Sequence, residues 1–206
     1  MNRNDSKGTV IGLLLAAGAS RRFGSDKLRQ PLPDGSTVAM RSCRNLRAAT
    51  DHVVAVISPG CDELAADLRK EGADVAICHQ AEQGMGFSLA FGIRETVDAG
   101  AWVIALADMP WIQPQTIERV AESLRQGASL AAPGIQGRRG HPVGFSAIFR
   151  DSLLALQGDR GAAGLLKAYS DPLQLIECDD PGIFWDIDEP MDLATPPPGS
   201  WHSLRG

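Results

Sequence analysis

Nothing in these 206 residues is long and apolar enough to cross a membrane, and Met1–Gly8 is polar where a secretory leader would be hydrophobic. A basic balance is missing too: 20 Lys and Arg face 25 Asp and Glu, a net charge of −5, which argues against a nucleic-acid binder. Paired cysteines are absent. Cys43, Cys61, Cys78 and Cys178 stand far apart with no C-x-x-C, which excludes an ordinary zinc site or disulfide scaffold. The expectation is reduced thiols in or near the core of a cytoplasmic protein without membrane or nucleic-acid partners. No internal repeat is visible. The length suits one domain with a full core, spanning residues 10–194 between a flexible 1–9 and a Pro/Gly-rich tail, 195–206.

What is present is strand–helix alternation. Apolar strands are predicted at Val10–Leu15, His52–Ile57, Asp74–Cys78 and Trp102–Ala107. Helices are predicted near Val38–Ala49, Asp62–Glu71, Ser88–Asp98 (with Ser88 as its cap) and Gln113–Arg125. Near-continuous apolar strands between helices indicate an α/β chain with a parallel sheet covered on both faces. The later part changes character. Leu130–Pro133, Val143–Ser146, Leu173–Cys178 and Ile183–Trp185 read as strands, Gly134–Gly140 as a hairpin, and Ile148–Leu156 and Ala162–Tyr169 as helices.

The most informative segment follows the first strand, where Leu15-Ala16-Ala17-Gly18-Ala19-Ser20-Arg21-Arg22-Phe23-Gly24-Ser25-Asp26-Lys27 forms a loop of small residues with cations. Small side chains let a ligand approach the main chain, whose N–H groups attract anions, and Arg22 and Lys27 add positive charge for phosphates. It is neither a Walker A loop, since five residues separate Gly18 from Gly24 and Lys27 does not follow Gly24 directly, nor a G-x-G-x-x-G fingerprint. Arg21, Arg22, Lys27 and Arg29 fall within nine positions of an acidic chain, a focus suited to a small polyanion. Arg41, Arg44 and Arg47 have helical spacing and read as a solvated face.

Asp108 lies just past an apolar strand, at the sheet edge where ligands bind, and suits a Mg²⁺ ligand beside phosphates. Capping the helix near Gln113 is its competing role, at poor spacing. Asp186 and Asp188 share one face of an extended segment and offer a second metal contact. Asp188 equally suits the N-cap of a short helix over Glu189–Ala194. Gly84-Met85-Gly86 before a helix could fold its backbone round a ligand and present free N–H groups; the alternative is a tight turn with Met85 and Phe87 in the core. His141, beside Arg138 and Arg139, suits an anionic second substrate, and a turn residue is its plainer reading.

Taken in order, these blocks resemble a known family. The pattern L-A-A-G-x-S-x-R-x-G-x-x-K, here Leu15, Ala16, Ala17, Gly18, Ser20, Arg22, Gly24 and Lys27, is similar to the signature of the MobA-like nucleotidyltransferases, above all the molybdenum cofactor cytidylyltransferases. The likeness continues in Gly84–Leu89, Asp108-Met109-Pro110, Gly140-His141-Pro142, Gly158–Ala162 and Asp186–Leu193. It implies a Rossmann-like, mostly parallel but mixed sheet of the nucleotide-diphospho-sugar-transferase kind, a parallel nucleotide half preceding a mixed half. It further implies catalysis by Arg22, Lys27 and Asp108, and nucleotide contacts from Leu15, Ala16, Ala17, Gly18, Ser20, Arg22, Lys27, Gly84, Met85 and Ser88. Mg²⁺ would sit on Asp108 with Asp186 or Asp188, and a second substrate near His141, Pro142, Asp159 and Arg160. The implied reaction moves CMP from CTP to the phosphate of molybdopterin and releases pyrophosphate, with a molybdoenzyme as eventual recipient. Ala17 stands where related guanylyltransferases have glycine, and its methyl favours the smaller base, an effect of about 1–3 kcal/mol. A sugar-phosphate or other small phosphate as acceptor, GTP as donor, and a non-catalytic cofactor chaperone are the alternatives.

Overall fold

A computed structural model describes residues 8–18, 26–159, 161–169 and 173–193. Ser20, Arg22, Gly24 and Arg160, and most of the expected termini, lie outside them.

Strands β1 (Val10–Ala16), β2 (His52–Ile57), β3 (Asp74–Ile77) and β4 (Ala101–Leu106) alternate with helices α1 (Val38–Ala49), α2 (Asp62–Lys70) and α3 (Met85–Glu95), and α4 (Pro114–Arg125) follows β4. The mixed half holds β5 (Leu130–Ile135), β6 (Arg138–Arg139), β7 (Val143–Ser146) and β8 (Leu173–Glu177), with short helices α5 (Arg150–Leu154) and α6 (Ala163–Ala168). All eight strands form one sheet, ordered β3-β2-β1-β4-β7-β5-β6, with β8 also on β5. β3, β2, β1 and β4 run parallel; β7 opposes both β4 and β5, and β8 is parallel to β5. The expected parallel half and mixed half are both present.

Alternation along β1 splits the core between the two faces of the sheet. Val10, Leu14 and Ala16 pack with the buried residues of α1, α2 and α4. Ile11, Leu13 and Leu15 face the other side, with Leu89 and Ile93 of α3, Leu153 of α5 and Leu166 of α6. The hairpin expected over Gly134–Gly140 exists as β5–β6, pairing Gly134 with Arg139 and Ile135 with Arg138. Its two-residue turn puts Gln136 (φ 51°) and Gly137 (φ 77°) in the left-handed region that such turns demand.

Three expectations are corrected. Ile183–Trp185 is not a strand: Asp180 accepts from the Gly182 N–H and Pro181 opens a 3₁₀ turn over Pro181–Phe184. α3 begins at Met85 after Gly84, so Ser88 lies buried one turn inside it rather than capping it. Arg41 and Arg44 are not simply solvated, because Arg41 pairs with Asp34, and Arg44 with Glu71 at 2.8 Å.

Candidate active site

The site is built where β1 and β4 end. β1 runs out at Ala16, and Lys27 stands on a 3₁₀ turn, Lys27–Arg29, whose Leu28 is buried in the core. β4 ends at Leu106, and Asp108 follows two residues later. That loop is tied down from α1: Ser42 Oγ donates to the Ala107 carbonyl (2.9 Å), and Asn45 Nδ2 to the carbonyls of Pro110 (3.0 Å) and Ile112 (2.9 Å). Ser42 and Asn45 were not singled out from sequence. Their signal is a pair of polar residues one turn apart beside the apolar stripe Val38, Ala39, Cys43 and Leu46.

The third strand of chain arrives from far along the sequence. Ile187 is fully buried and its N–H donates to the Asp108 carbonyl (2.9 Å), fixing the register of this late segment against the Asp108 loop. Its neighbours Asp186 and Asp188 offer carboxylate oxygens that lie, with one from Asp108, within 4.8 Å of one another. Lys27 Nζ bridges part of the cluster, donating to Asp108 Oδ2 (2.9 Å) and to Asp188 Oδ1 (3.1 Å). The capping alternatives fall away. The N–H groups of Asp188 and Glu189 both donate to Asp192 Oδ2 (2.9 and 2.8 Å), so the local turn is closed by Asp192 while Asp188 serves Lys27. The start of α4 is capped by the remote carboxylate of Asp180, which accepts from the Gln113 N–H (2.8 Å) and Thr116 Oγ1 (2.7 Å).

Electrostatics follow from this crowding. Burial works to lower the Lys27 pKa, but Asp108 and Asp188 outweigh it and hold the ammonium above its ordinary value. Asp186 is exposed as a residue, yet partial desolvation of its carboxyl, reinforced by Asp188 and Asp108, raises it above the usual carboxylate range. Asp108 Oδ1 is buried and has no hydrogen-bond partner. The three carboxylates, with one buried Asp108 oxygen left over, offer the oxygen donors that a hard divalent cation takes, and the Lys27 ammonium stands beside them as a second positive charge. The residues fit such an ion.

Other expected site residues fall around this centre. Leu15, Met85, His141 and Asp159 line a cavity of about 260 Å³ between the sheet and helices α3 and α6. Pro142 is buried beside it, ahead of β7, and the His141–Pro142 peptide is cis. Ala16 packs into the α1 face, the Ala17 carbonyl accepts from Ser58 Oγ (3.1 Å), and Gly18 is exposed. Gly84 and Gly86 are explained by close packing: a Cβ on either would fall within 2.8 Å of the Gln157–Asp159 segment. The Gly86 N–H donates to the Gly158 carbonyl (2.7 Å) and the Phe87 and Ser88 N–H groups to Gly84, so the expected free donors are occupied. Met85 is 47% exposed at the cavity rather than in the core. Arg29 is held by Glu63 and by Asp67 (3.4 Å), which removes it from the expected cationic focus.

A carboxylate cluster and lysine beyond the carboxyl ends of a parallel sheet, in a chain of this topology, define the class as nucleotidyltransferase. The model of the MobA-like NTP transferase domain matches residues 12–173, and the chain belongs to that family. It is 31% identical over 194 residues to the purine catabolism protein PucB of Bacillus subtilis, covering 89% of this chain and 93% of that one. It is 29% identical to the nicotine blue oxidoreductase of Paenarthrobacter nicotinovorans, covering 87% and 92%. A probable molybdenum cofactor guanylyltransferase of Mycobacterium tuberculosis is 28% identical, with 82% and 85% covered. Among solved structures, Rv0371c of M. tuberculosis H37Rv superposes with a TM-score of 0.79 at 26% identity, covering 90% of this chain and 95% of that one. Rv0371c has also been solved in complex with manganese (TM-score 0.76, 23% identity, 90% and 96% covered). No helix among the described residues is long and apolar enough to span a membrane, and all four cysteines are unpaired.

Proposed function

We propose that this nucleotidyltransferase moves CMP from CTP to the terminal phosphate of molybdopterin, releasing pyrophosphate, with Mg²⁺ as its working cation and the cytoplasm as its setting. The observation that carries the reading is the meeting of Lys27 with Asp108 and Asp188 across 81 and 161 positions of sequence, beside Asp186. Such a mixture of fixed carboxylates and one ammonium suits a metal-bound polyphosphate.

An oxygen of the acceptor phosphate attacks the α-phosphorus of CTP; that P–O bond forms as the bond to the β-phosphate oxygen breaks and pyrophosphate leaves. The attacking group is already an anion, so no enzyme nucleophile and no base to strip a proton are needed. The chain's contribution is positioning and charge. Asp108, Asp186 and Asp188 would hold Mg²⁺, which supplies charge neutralisation at the phosphates. Lys27 stays protonated at neutral pH and offsets the charge gathering on the leaving pyrophosphate. Ser42 and Asn45 keep the Asp108 loop in place against α1. Arg22 and the rest of the small-residue loop complete the grip on the triphosphate, and the methyl of Ala17 narrows the base site toward cytosine. The eventual recipient of the product is a molybdoenzyme.

Pyrophosphate release tests this directly. The purified protein is given Mg²⁺, CTP or GTP, and molybdopterin extracted from a molybdoenzyme. Release with CTP and the extracted cofactor supports the proposal. Preference for GTP, favoured by the name of the mycobacterial relative, would reassign the base, and nucleotide binding without release would overturn the catalytic reading.

A further inference from the structure

Lys27 sits at the head of a turn three residues long, Lys27–Arg29. Two backbone hydrogen bonds close it, from the Arg29 N–H to the Asp26 carbonyl and from the Gln30 N–H to the Lys27 carbonyl (both 3.2 Å). A 3₁₀ turn has three residues per revolution, so its three side chains leave the axis about 120° apart and meet different surroundings. Lys27 reaches Asp108 (2.9 Å) and Asp188 (3.1 Å). Leu28 is buried in the core cluster that also holds Leu64 and Leu68 of α2. Arg29 crosses to the side of α2, where its Nη1 donates to Glu63 and its Nε to Asp67 Oδ2 (3.4 Å).

Glu63 and Asp67 are four positions apart on α2, so they stand one above the other on a single face, spaced for two edges of one guanidinium. Asp67 is the firmer anchor, its side chain 12% exposed against 77% for Glu63. Burial works to raise the Asp67 carboxyl, but hydrogen bonds from Lys70 and Arg29 outweigh it and hold the group below the usual carboxylate range. A lysine ammonium rides on a flexible four-carbon stem, so its aim depends on how firmly the backbone beneath it is held. Leu28 seats the turn in depth and leaves it free to roll about that one side chain. A second side chain fixed at another angle stops the roll.

We propose that Arg29 is the positioning residue for Lys27: clamped by Glu63 and Asp67, it fixes the roll of the turn and so aims the ammonium at the carboxylate cluster and the phosphates. This rests on the phosphate-binding role proposed above for Lys27 and names what that role requires. Arg29 acts at a distance; its own partners lie on α2, and its effect passes through the turn.

The test is calorimetric titration of inorganic pyrophosphate, the proposed leaving group, with Mg²⁺ present. It is run on wild type, Arg29→Met, Arg29→Lys, Lys27→Ala and the double variant of Arg29→Met with Lys27→Ala, with melting temperatures alongside. Lys27→Ala should weaken pyrophosphate about tenfold and Arg29→Met about fivefold, since a misplacement of about 1 Å is already costly. Arg29→Lys keeps the charge without the fork and should fall between Arg29→Met and wild type. The double variant should bind no more weakly than Lys27→Ala, because nothing remains for Arg29 to aim. The melting temperature of Arg29→Met should stay within about 3 °C of wild type, as partly exposed ion pairs contribute little. Equal affinity in wild type and Arg29→Met, or a loss that persists undiminished once Lys27 is gone, would overturn the positioning role alone. Undiminished binding by Lys27→Ala would instead remove Lys27 from phosphate binding, and no pyrophosphate binding by the wild type would overturn the phosphate site; Arg29's role falls with either.

Discussion

At the carboxyl ends of β1 and β4 the sheet carries three aspartates and a lysine within a few ångströms of one another, whereas against β7 the same sheet is walled with leucine, valine and phenylalanine. The two regions are neighbours: Leu106 floors the cavity and Asp108 belongs to the cluster. The contrast separates two jobs. On the proposed reading, crowded charge suits phosphate, where neutralisation matters most, while the apolar cavity suits the body of a ligand, where shape decides.

The largest effects should come from breaking the charged region. Lys27→Ala and Asp108→Asn should each cut turnover by about 10²–10³-fold, the scale of losing one group that stabilises developing charge, with little change in the melting temperature. Steady-state pyrophosphate release and thermal denaturation read the two quantities. Retained turnover in Lys27→Ala would remove that residue from the mechanism.

Next comes the tie between α4 and the late segment that carries Asp186 and Asp188. Asp180, 3% exposed, accepts from Gln113 and Thr116 on α4 and from the Gly182 N–H of the late segment. Asp180→Ala strands these donors and should cost about 2–3 kcal/mol of stability by urea denaturation. A smaller effect is expected at the base site, where Ala17→Gly should shift the CTP-over-GTP ratio of kcat/KM toward GTP by about tenfold. Smallest is a pH effect on the cavity side. Folding depresses His141 from 6.5 to about 4. Above pH 6.5 the imidazole is neutral folded or unfolded; as pH falls toward 4 the unfolded chain takes up a proton that the folded one refuses, so stability drops through that window. His141→Gln should flatten the fall between pH 7 and 5 by on the order of 1 kcal/mol, measured by urea midpoints.

Sequence made the charged region legible and the cavity nearly invisible. Lys27, Asp108, Asp186 and Asp188 could be read because charged residues next to apolar strands or in ordered motifs are out of place as mere surface. The cavity's leucines could not, since apolar side chains from β1, β4, β7 and α3 look like any core until the fold leaves a space among them. The same limit hid the pairing of Arg29 with Glu63 and Asp67 and of Arg44 with Glu71, carboxylates that come from remote positions. Boundaries followed suit. β2 and α1 sit where the sequence places them: a short, largely β-branched run marks β2, and in the structure Thr37 caps α1 by accepting from the Met40 N–H. α3 starts earlier than expected because contact with Gly158 overrides the poor helix propensity of Gly84-Met85-Gly86. The strand expected at Ile183 gives way to the turn that Asp180 and Pro181 nucleate.

The most direct trial of the account is calorimetric titration of CTP into the wild-type protein and Asp108→Asn, with Mg²⁺ and then with EDTA. Wild type should bind CTP much more tightly with Mg²⁺, and Asp108→Asn should lose that dependence. Equal CTP affinity in Mg²⁺ and EDTA for the wild type would contradict a polyphosphate held through a divalent cation at these carboxylates.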